Sequence, residues 1–337
     1  MYNGVAILKK LEGRELDNYL ALGWYRMEQT VFTTHFLKRG QDFFSAVWLR
    51  YILSDFNENS SFKKLSKLNK DFDFEISDFS MDQELIDLYD KYFTSKDPGW
   101  PQTLDSILLG GSNSNIFHTK LLRIQHQGKL IAAGYFDIGE KSAAGITSFF
   151  DPEYAKFSLG RYLMFLKIRY CISLHIDYFY PGYFVPGVNS FNYKLDMNEA
   201  ATEFYHVAHL EWRSMKDFKT SELPLHLIQK KLIELKHTLQ QLNVITTIVY
   251  YGLFNRDIFS PYNCPLFLLI HSSNHLGSEL AVQYDLTQQR FMIFDCSFFQ
   301  PSELLVENQD KIICNQFIHF DNPILKTDDP FKIMDLF

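Results

Sequence analysis

The residues best suited to chemistry are concentrated between Asp151 and Lys194. Within that stretch, Ser158, Leu159 and Gly160 follow a hydrophobic segment at 144–150 and precede a run of helical character. A glycine lets a ligand approach the backbone closely, and the first N–H groups of a helix have no partner within it. The pattern predicts a modest site for an anion or a carbonyl oxygen. An ordinary strand–helix unit, in which Gly160 only eases packing, is equally compatible with these residues.

A helix is expected to position this loop. Leu159, Leu163, Leu166 and Tyr170 recur at intervals of three and four residues, which gives an apolar stripe of helical period. Ser158 is expected to cap the helix by accepting a hydrogen bond from an early backbone N–H. The aromatic segment after the helix predicts a strand that ends in a turn.

The same stretch is basic, although the whole chain has a formal charge of −7. Five basic residues and one acid, Asp177, give it a local charge of +4; the basic residues are Lys156, Arg161, Lys167, Arg169 and Lys194. Aromatic residues are interleaved with them, among them Tyr178, Phe179, Tyr180, Tyr183, Phe191 and Tyr193. This combination suits the end of a nucleic acid, because phosphates meet the cations and bases stack on the rings. An aromatic core strand beside a solvated helix face is the alternative.

These residues resemble the C-terminal domain of the aminoacyl-tRNA–protein transferases, which are the arginyltransferases and their bacterial leucyltransferase relatives. That family has a strand ending in Asp-Pro, a Ser-Leu-Gly loop, a helix, and a Tyr-rich strand followed by a Tyr-Lys turn. The matching residues are Phe150, Asp151, Pro152, Tyr154, Ser158, Leu159, Gly160, Tyr162, Tyr180, Gly182, Tyr183, Tyr193 and Lys194. The family's core resembles the GNAT acyltransferase fold, in which this strand–loop–helix unit holds the acyl donor.

The resemblance implies transfer of an amino acid from an aminoacyl-tRNA ester to the α-amine of a protein N-terminus. An α-amine has a pKa of roughly 7.7–8.0, so a useful fraction is neutral near pH 7, and the ester is already activated. Positioning the reactants and stabilising the tetrahedral oxyanion would supply much of the acceleration. Aminoacyl-tRNA and a protein N-terminus are the expected partners, and no cofactor is expected besides aminoacyl-tRNA as the co-substrate.

Three side chains are candidates for catalytic roles in that reaction. Tyr180 and Tyr183 would hydrogen-bond the substrate or stack on the terminal adenosine, and Asp151 would orient an amine. A purely structural role is the alternative for each of them.

The predicted substrate-binding residues are Ser158, Leu159, Gly160, Arg161, Gly182, Tyr193 and Lys194. Backbone N–H groups of the loop from Ser158 to Gly160 would bind the carbonyl oxygen or the terminal ribose. Arg161 and Lys194 would bind phosphate or an acidic acceptor residue. Structural roles remain open for these side chains as well.

The first 80 residues resemble the family's N-terminal domain around the Gly-Trp-Tyr-Arg segment at 23–26 and the Trp-Leu-Arg segment at 48–50. That domain can carry a cysteine cluster for a metal or an iron–sulfur centre, but residues 1–170 contain no cysteine. The four cysteines of the chain, Cys171, Cys264, Cys296 and Cys314, are never at CxxC spacing. We therefore expect no metal site and no disulfide framework, which fits a reducing cytosol.

A basic segment at 61–70 is a candidate for binding tRNA. Lys63, Lys64 and Lys67, together with Arg169, would hold the phosphate backbone through salt-sensitive contacts. A solvated linker or helix face is the alternative interpretation.

The element order predicts an α/β (α+β) fold. A helix at 81–94 is followed by strands at 117–126, 128–137 and 143–150 and by the helix and aromatic strand described above, which is the order of GNAT proteins. We expect a GNAT-like mixed sheet flanked by helices at 81–212, preceded by a β-rich unit at 1–80 and followed by an α+β unit at 213–337.

The C-terminal unit begins with an amphipathic helix, whose apolar residues are Leu225, Ile228, Leu232, Leu235, Leu239 and Leu242. Strands are predicted at 245–254 and 265–272, as a hairpin at 279–299 that turns near Thr287, and at 312–320. No function is predicted for this unit.

The chain has no apolar run near the ~20 residues that span a membrane, and its N-terminus lacks a signal-peptide pattern. A cytoplasmic protein without a membrane partner is therefore expected. The sequence pI of 5.9 argues against a protein that coats nucleic acid but permits a local patch for one tRNA end.

Two other functions stay open. The first is a GNAT-type N-acyltransferase that uses acyl-CoA, although the segment from Tyr154 to Leu159 lacks the basic start and the second glycine of the usual CoA loop. The second is a non-enzymatic module that binds tRNA or an N-degron, which the missing N-terminal cysteines make credible.

Overall fold

The structure, a computed structural model, describes residues 4–58, 60–96, 102–255, 261–271, 279–298, 306–308 and 311–336. Two large β-sheets carry most of the described chain and helices pack against both, which confirms the predicted α+β class. Within these ranges, no helix is long and apolar enough to cross a membrane.

The α-helices are α1 at Gly13–Ala21, α2 at Ser60–Leu68, α3 at Gln83–Thr94, α4 at Leu104–Leu108, α5 at Leu159–Ser173 and α6 at Pro224–Gln240. The strands are β1 at Gly4–Ile7, β2 at Tyr25–Met27, β3 at Thr30–Thr33, β4 at Phe36–Arg39, β5 at Asp42–Ser45, β6 at Val47–Ile52, β7 at Asp73–Asp78, β8 at Thr119–His126, β9 at Lys129–Ile138, β10 at Ser142–Phe150, β11 at Tyr178–Phe184, β12 at Thr202–His206, β13 at Glu211–Ser214, β14 at Ile245–Tyr251, β15 at Leu266–His271, β16 at Glu279–Asp285, β17 at Arg290–Phe298, β18 at Val306–Asn308, β19 at Lys311–Cys314 and β20 at Ile318–Thr327.

Eight strands form the central sheet, in the order β13-β12-β6-β11-β10-β9-β8-β7. Neighbouring strands are antiparallel except for β10 and β11, which run parallel and are joined through α5. These two strands pair only over residues 142–144 and 178–180, whereas β10 continues alongside β9 to Phe150. The sheet therefore opens between β10 and β11 toward the end of β10, where the chain turns into α5.

Helix α5 packs on the central sheet, as its periodicity predicts. The buried surface of the helix is wider than the single apolar stripe expected from the sequence. The buried residues are Leu159, Tyr162, Leu163, Met164, Phe165, Leu166, Lys167, Ile168 and Cys171. Strands β9 and β10 lie against one side of the helix. On another side Phe62 of α2 stacks on Phe165, with ring centroids 4.4 Å apart. The helix is thus held between the sheet and α2.

Strands from both sides of the predicted boundary at residue 80 lie in the central sheet. Strand β6 lies between β11 and β12, and β7 lies beside β8 at the edge. The hairpin β4–β5 contacts the C-terminal part of the chain instead, because Phe36 and Phe43 join its core and the Leu225 N–H donates to Ser45 Oγ at 3.1 Å. Residues 1–80 therefore share a sheet and a core with later segments.

A second, seven-stranded sheet follows α6, in the order β18-β19-β14-β15-β16-β17-β20. The apolar stripe of α6 is buried against it, except for Leu242, which lies beyond the helix end and is exposed. The predicted hairpin is formed by β16 and β17 up to Phe298, and residue 299 lies outside the described ranges. The prediction of one strand at 312–320 is wrong, because β19 ends at Cys314 and β20 begins at Ile318.

Candidate active site

A pocket of about 300 Å³ lies where β10, α3 and the start of α5 meet. It is lined by Tyr92, Ser148, Phe150, Ser158, Gly160, Arg161, Met164 and Tyr193. Four of these eight residues, Ser158, Gly160, Arg161 and Tyr193, are predicted substrate-binding residues. The structure therefore brings the loop, the first turn of α5 and the aromatic turn together around one cavity.

The loop that opens the pocket is held in an unusual backbone conformation. Ser158 has φ 53° and ψ 42°, in the left-handed region, and it ends a short 3-10 helix at Pro152–Phe157 while preceding α5. Its side chain makes no capping hydrogen bond, so the capping prediction is wrong. The reason is that a capping side chain needs an extended backbone, whereas the chain runs from one helix directly into the next.

The start of α5 offers backbone donors to the pocket. The Ser158 carbonyl accepts hydrogen bonds from the N–H groups of Arg161 and Tyr162, both at 3.1 Å. Among the described residues, the N–H groups of Leu159 and Gly160 have no hydrogen-bond acceptor. These are the donors expected to be free at a helix N-terminus, and they are available to an oxygen atom of a ligand.

Gly160 is not required by packing. A Cβ atom at this position would lie 3.6 Å from Cε1 of Phe150, an ordinary van der Waals distance. The lack of a side chain at Gly160 therefore keeps space open in the pocket rather than relieving a clash.

Arg161 supplies the positive charge of the pocket wall. Its Nη2 donates to Ser61 Oγ of α2 at 3.3 Å, and its Nε is buried without a hydrogen-bond partner among the described residues. Because a buried N–H without an acceptor is costly, this guanidinium is suited to bind an oxygen atom of a ligand.

Two tyrosines complete the wall of the pocket. Burial raises the pKa of Tyr193 to about 12 and also raises the pKa of Tyr92. Both side chains therefore remain neutral at physiological pH, and their hydroxyl groups can donate hydrogen bonds.

Lys194 and Gly182 lie together behind the aromatic turn. The Lys194 Nζ donates to the Tyr183 carbonyl at 2.6 Å, and burial lowers the pKa of Lys194 to about 7. Gly182 has φ +88°, and a Cβ atom there would lie 3.2 Å from the Lys194 Nζ. The hydrogen bond from Lys194 to Tyr183 and the close approach of Gly182 therefore stabilise the end of β11. Neither residue is among the described residues that line the pocket.

Tyr180 and Tyr183 lie apart from the loop at Ser158. Alternate side chains of a strand point to opposite faces, so Phe179 packs with α5 while Tyr180 joins a cluster on the other face. There Tyr180 is 3% exposed and burial raises its pKa to about 12. Tyr183 packs edge-on against Trp48, with ring centroids 5.1 Å apart. In the described part of the chain, these two side chains are not among those that line the pocket.

Asp151 is held by two lysines. Its carboxylate is 2.8 Å from Lys91 Nζ and 3.1 Å from Lys129 Nζ, and it accepts from the Glu153 N–H at 3.1 Å. Burial opposes ionisation of Asp151, but these hydrogen bonds outweigh it and lower the pKa. The Asp151 carboxylate therefore binds the amines of two lysines of this chain.

The side chain of Leu159, another predicted substrate-binding residue, is fully buried in the core around α5.

The family of this part of the chain is shown by comparison with known sequences. The model of the family described as "Arginine-tRNA-protein transferase, C terminus" matches residues 81–202. Residues 81–202 belong to the aminoacyl-tRNA–protein transferase family. All eight residues that line the pocket lie inside this transferase segment.

Two relatives of the transferase segment are named aspartate/glutamate leucyltransferase. The protein from Leptospira interrogans is 30% identical over 152 residues, which are 43% of this chain and 58% of the relative. The protein from Hahella chejuensis is 26% identical over 156 residues, which are 44% of this chain and 65% of the relative. The chain thus spans less than two thirds of either relative.

Similarity to solved structures is weak. The C-terminal domain of a putative lysylphosphatidylglycerol synthetase from Agrobacterium fabrum aligns with a TM-score of 0.34 and 15% identity, over 46% of this chain and 51% of that chain.

The transferase segment adjoins the basic helix α2. The side chains of Lys63, Lys64 and Lys67 are exposed on α2, which contacts α5 through the Ser61–Arg161 hydrogen bond. Arg169 of α5 is 55% exposed and lies 3.5 Å from Glu58. The predicted nucleic-acid-binding residues therefore lie on two helices in contact, and one of these helices begins at the pocket.

Four residues of the pocket wall were missed as binding residues by the sequence analysis: Tyr92, Ser148, Phe150 and Met164. A further missed residue is Lys167, which lies behind Ser148 and donates to its Oγ at 3.0 Å. A signal for it exists in the sequence, because Lys167 occupies the position four residues after Leu163 in the apolar stripe of α5. A charged residue in such a stripe is rarely placed there by packing alone.

No metal centre is evident in the described residues, since none of their His, Cys, Asp and Glu side chains form a group of three or more that could hold an ion. The four cysteines are free and buried.

Proposed function

We propose that this protein transfers an amino acid from aminoacyl-tRNA to the α-amine of a protein N-terminus. The observation that carries the proposal is that every residue lining the pocket lies within the segment of the transferase family. By similarity to the aspartate/glutamate leucyltransferases, we propose leucine as the amino acid and proteins with an N-terminal Asp or Glu, in the manner of an N-degron, as the acceptors.

The chemistry of the pocket suits this reaction. The ester carbonyl oxygen of the donor would accept from the N–H groups of Leu159 and Gly160, which lie at the positive end of the α5 dipole and stabilise the developing oxyanion. The acceptor nitrogen would attack the carbonyl carbon, and the bond to the ribose oxygen would break. Arg161 would bind a phosphate of the donor or the acidic side chain of the acceptor. The ester is already activated, so the reaction as proposed needs no cofactor besides aminoacyl-tRNA.

We further propose that residues 81–212 have a GNAT-like arrangement. The order of elements and the parting of β10 from β11 beside the start of α5 support this interpretation. In such an arrangement the opening between the strands would receive the aminoacyl end of the donor.

The basic surface of α2 and α5 would bind the tRNA. Lys63, Lys64 and Lys67 would contact phosphates of the acceptor arm, with Arg169 beside them, so binding is expected to weaken with salt. Because charged tRNA is the donor, the protein would act in the cytoplasm, where aminoacyl-tRNA is made.

The two other functions have less support. The two relatives described above are both named as leucyltransferases. Neither name indicates an acyl-CoA N-acyltransferase or a non-enzymatic binding module.

The test is a transfer assay with radiolabelled leucyl-tRNA and arginyl-tRNA, and with peptides that begin with Asp, Glu or Lys. Label on the peptides that begin with Asp or Glu is expected from leucyl-tRNA, and not from arginyl-tRNA. Gly160→Leu, which fills the pocket, should reduce transfer, whereas Ser173→Leu at the exposed end of the same helix should not. Label from acetyl-CoA but from neither tRNA would refute the proposal.

A further inference from the structure

Lys167 lies directly behind the pocket and is fully enclosed, with 1% of its surface exposed. Its Nζ lies 3.0 Å from the Tyr135 carbonyl oxygen, 2.9 Å from the Thr147 carbonyl oxygen and 3.0 Å from Ser148 Oγ. Ser148 in turn lines the pocket. The Ser148 hydroxyl therefore connects a buried amine to the space in which a ligand would lie.

The fold provides room for this pair at Gly134. Gly134 faces Ser148 across the β9–β10 register, and a Cβ atom there would lie 2.7 Å from Lys167 Nζ and 2.9 Å from Ser148 Oγ. Its φ is not positive, so the backbone does not require glycine at this position. The glycine is needed because any side chain would displace the lysine from the serine.

Lys167 and Ser148 can form their hydrogen bonds in two arrangements, which differ in the protonation of Lys167. A neutral Lys167 amine donates two hydrogens to the Tyr135 and Thr147 carbonyls and accepts one from the Ser148 hydroxyl. The lone pairs of Ser148 Oγ are then free to accept from a ligand. A protonated Lys167 donates to all three oxygens, and the Ser148 hydroxyl hydrogen is free to be donated into the pocket.

The charges around Lys167 favour exchange between these states. Burial lowers the pKa of Lys167 to about 7, while Cys171 of α5 and Asp137 of β9 act to raise it. Strand β10 contributes only the Thr147 carbonyl and the Ser148 hydroxyl. Asp137 is itself paired with Arg26 at 2.8 Å, and no carboxylate in the described ranges forms an ion pair with Lys167.

We propose that Ser148 and Lys167 form a proton relay for the transfer reaction, an inference that rests on the proposed function. As the new C–N bond forms, the acceptor nitrogen gives a proton to Ser148 Oγ, and the Ser148 hydroxyl gives its own proton to Lys167 Nζ. As the C–O bond to the ribose breaks, the same two transfers run in reverse and protonate the leaving oxygen. Protons balance over the cycle, and Lys167 returns to its neutral form. Ser148 touches the substrate, whereas Lys167 is a positioning residue that acts through it.

The first test is a direct titration of Lys167 by NMR on protein carrying 13C at the lysine ε-carbons, with Lys167→Met to assign the signal. A titration midpoint far below that of the exposed lysines, and shifted by Ser148→Ala, is expected. A midpoint near 10 would overturn the relay. This measurement needs no tRNA, so it does not depend on whether the protein is a transferase.

The second test is the pH dependence of kcat/KM for transfer to a peptide. The wild type should show two inflections on the acid side, one from the peptide amine and one from Lys167. Ser148→Ala and Lys167→Met should lose the second inflection and roughly 10²- to 10⁴-fold of the plateau rate, the usual contribution of a general base. Lys230→Met on the exposed face of α6 is the matched control and should retain both.

A Ser148→Ala variant with the profile and rate of the wild type would overturn the relay and leave the transferase intact. A wild type that transfers no amino acid would overturn the proposed function and with it the role of the relay, even if Lys167 titrates near neutrality.

Discussion

Two lysines near the pocket, Lys167 and Lys194, are buried. Each donates to main-chain carbonyls of the central sheet, and burial lowers the pKa of each to about 7. In each case a glycine leaves room for the amine: Gly134 for Lys167 and Gly182 for Lys194. These glycines are therefore part of the lysine sites and are not interchangeable with alanine.

Gly182→Ala should lower the free energy of unfolding by at least ~1 kcal/mol, because L-residues are strained at positive φ. The added methyl group also lies 3.2 Å from the Lys194 Nζ. Gly128→Ala is the matched control, since Gly128 has φ +78° and no atom within 4 Å of its Cβ position. Urea unfolding should show the larger loss for Gly182→Ala, and equal losses would argue against the lysine contact.

At the scale of elements, helices α2 and α5 act as a pair. The aromatic contact of Phe62 with Phe165 and the bond from Arg161 to Ser61 fix the basic face of α2 next to the helix that begins at the pocket. A tRNA bound on α2 could therefore present its aminoacyl end to the cavity.

Replacing Lys63, Lys64 and Lys67 together by Gln should weaken tRNA binding, and most strongly at low salt, where phosphate contacts contribute most. The slope of log K against log salt should fall by roughly 3, about one unit for each phosphate that a lysine no longer neutralises. The control replaces Lys230, Lys236 and Lys332 by Gln. This variant has the same change in net charge, but its replaced lysines lie far along the chain from α2. Filter binding between 50 and 300 mM salt measures both, and equal slopes for the two variants would refute a tRNA site on α2.

In the second sheet, His271 of β15 links neighbouring strands. Its Nδ1 lies 3.1 Å from Glu279 Oε1 of β16, and its Nε2 lies 2.9 Å from Thr247 Oγ1 of β14. The hydrogen bond with Glu279 raises the pKa of His271. The ion pair therefore stabilises the fold fully below the ordinary histidine pKa of about 6.5, and its contribution is lost as the pH rises through the raised value.

Glu279→Gln should lower the free energy of unfolding more at pH 5.5 than at pH 8.5. The difference should not exceed about 1 kcal/mol, because both side chains are partly exposed and water screens the pair. Chemical denaturation at the two pH values measures it. Equal losses at both would show that His271 is not charged in the native protein.

At the scale of the whole molecule, the first 80 residues contribute to the central sheet and to the core of the C-terminal part. Strand β6 completes the central sheet from the N-terminal side, and the hairpin β4–β5 inserts Phe36 and Phe43 into the core of the C-terminal part. The first 80 residues therefore connect the two large sheets, and we expect the described parts to unfold together.

Phe36→Ala should lower the free energy of unfolding by about 3–5 kcal/mol, as expected for removing a buried aromatic ring. Phe331→Ala is the matched control, because Phe331 is 61% exposed and its loss should have little effect. Thermal unfolding should remain a single transition in both variants. A separate early transition of the C-terminal part in Phe36→Ala would contradict the shared core.

The sequence by itself determined the local elements of the site. Helical spacing from Leu159 to Tyr170 located α5, the hydrophobic segment at 144–150 located β10, and strand-type segments around Thr287 located the hairpin of β16 and β17. The loop at Ser158 and Gly160, the basic helix and the transferase resemblance followed from residues close together in the chain. These features are predictable because hydrogen-bond periodicity and side-chain alternation act over a few residues.

Only the tertiary structure decided which side chains face the pocket. Tyr180 lies on the far face because β6 and β10 fix the orientation of β11, and Ser148 meets Lys167 only when β10 packs under α5 beside Gly134. Residues 19 positions apart, as Ser148 and Lys167 are, meet only through the packing of their elements. Short-range spacing carries no information about which elements pack together. The sequence therefore shows a lysine among the apolar residues of α5 but not its contact with Ser148.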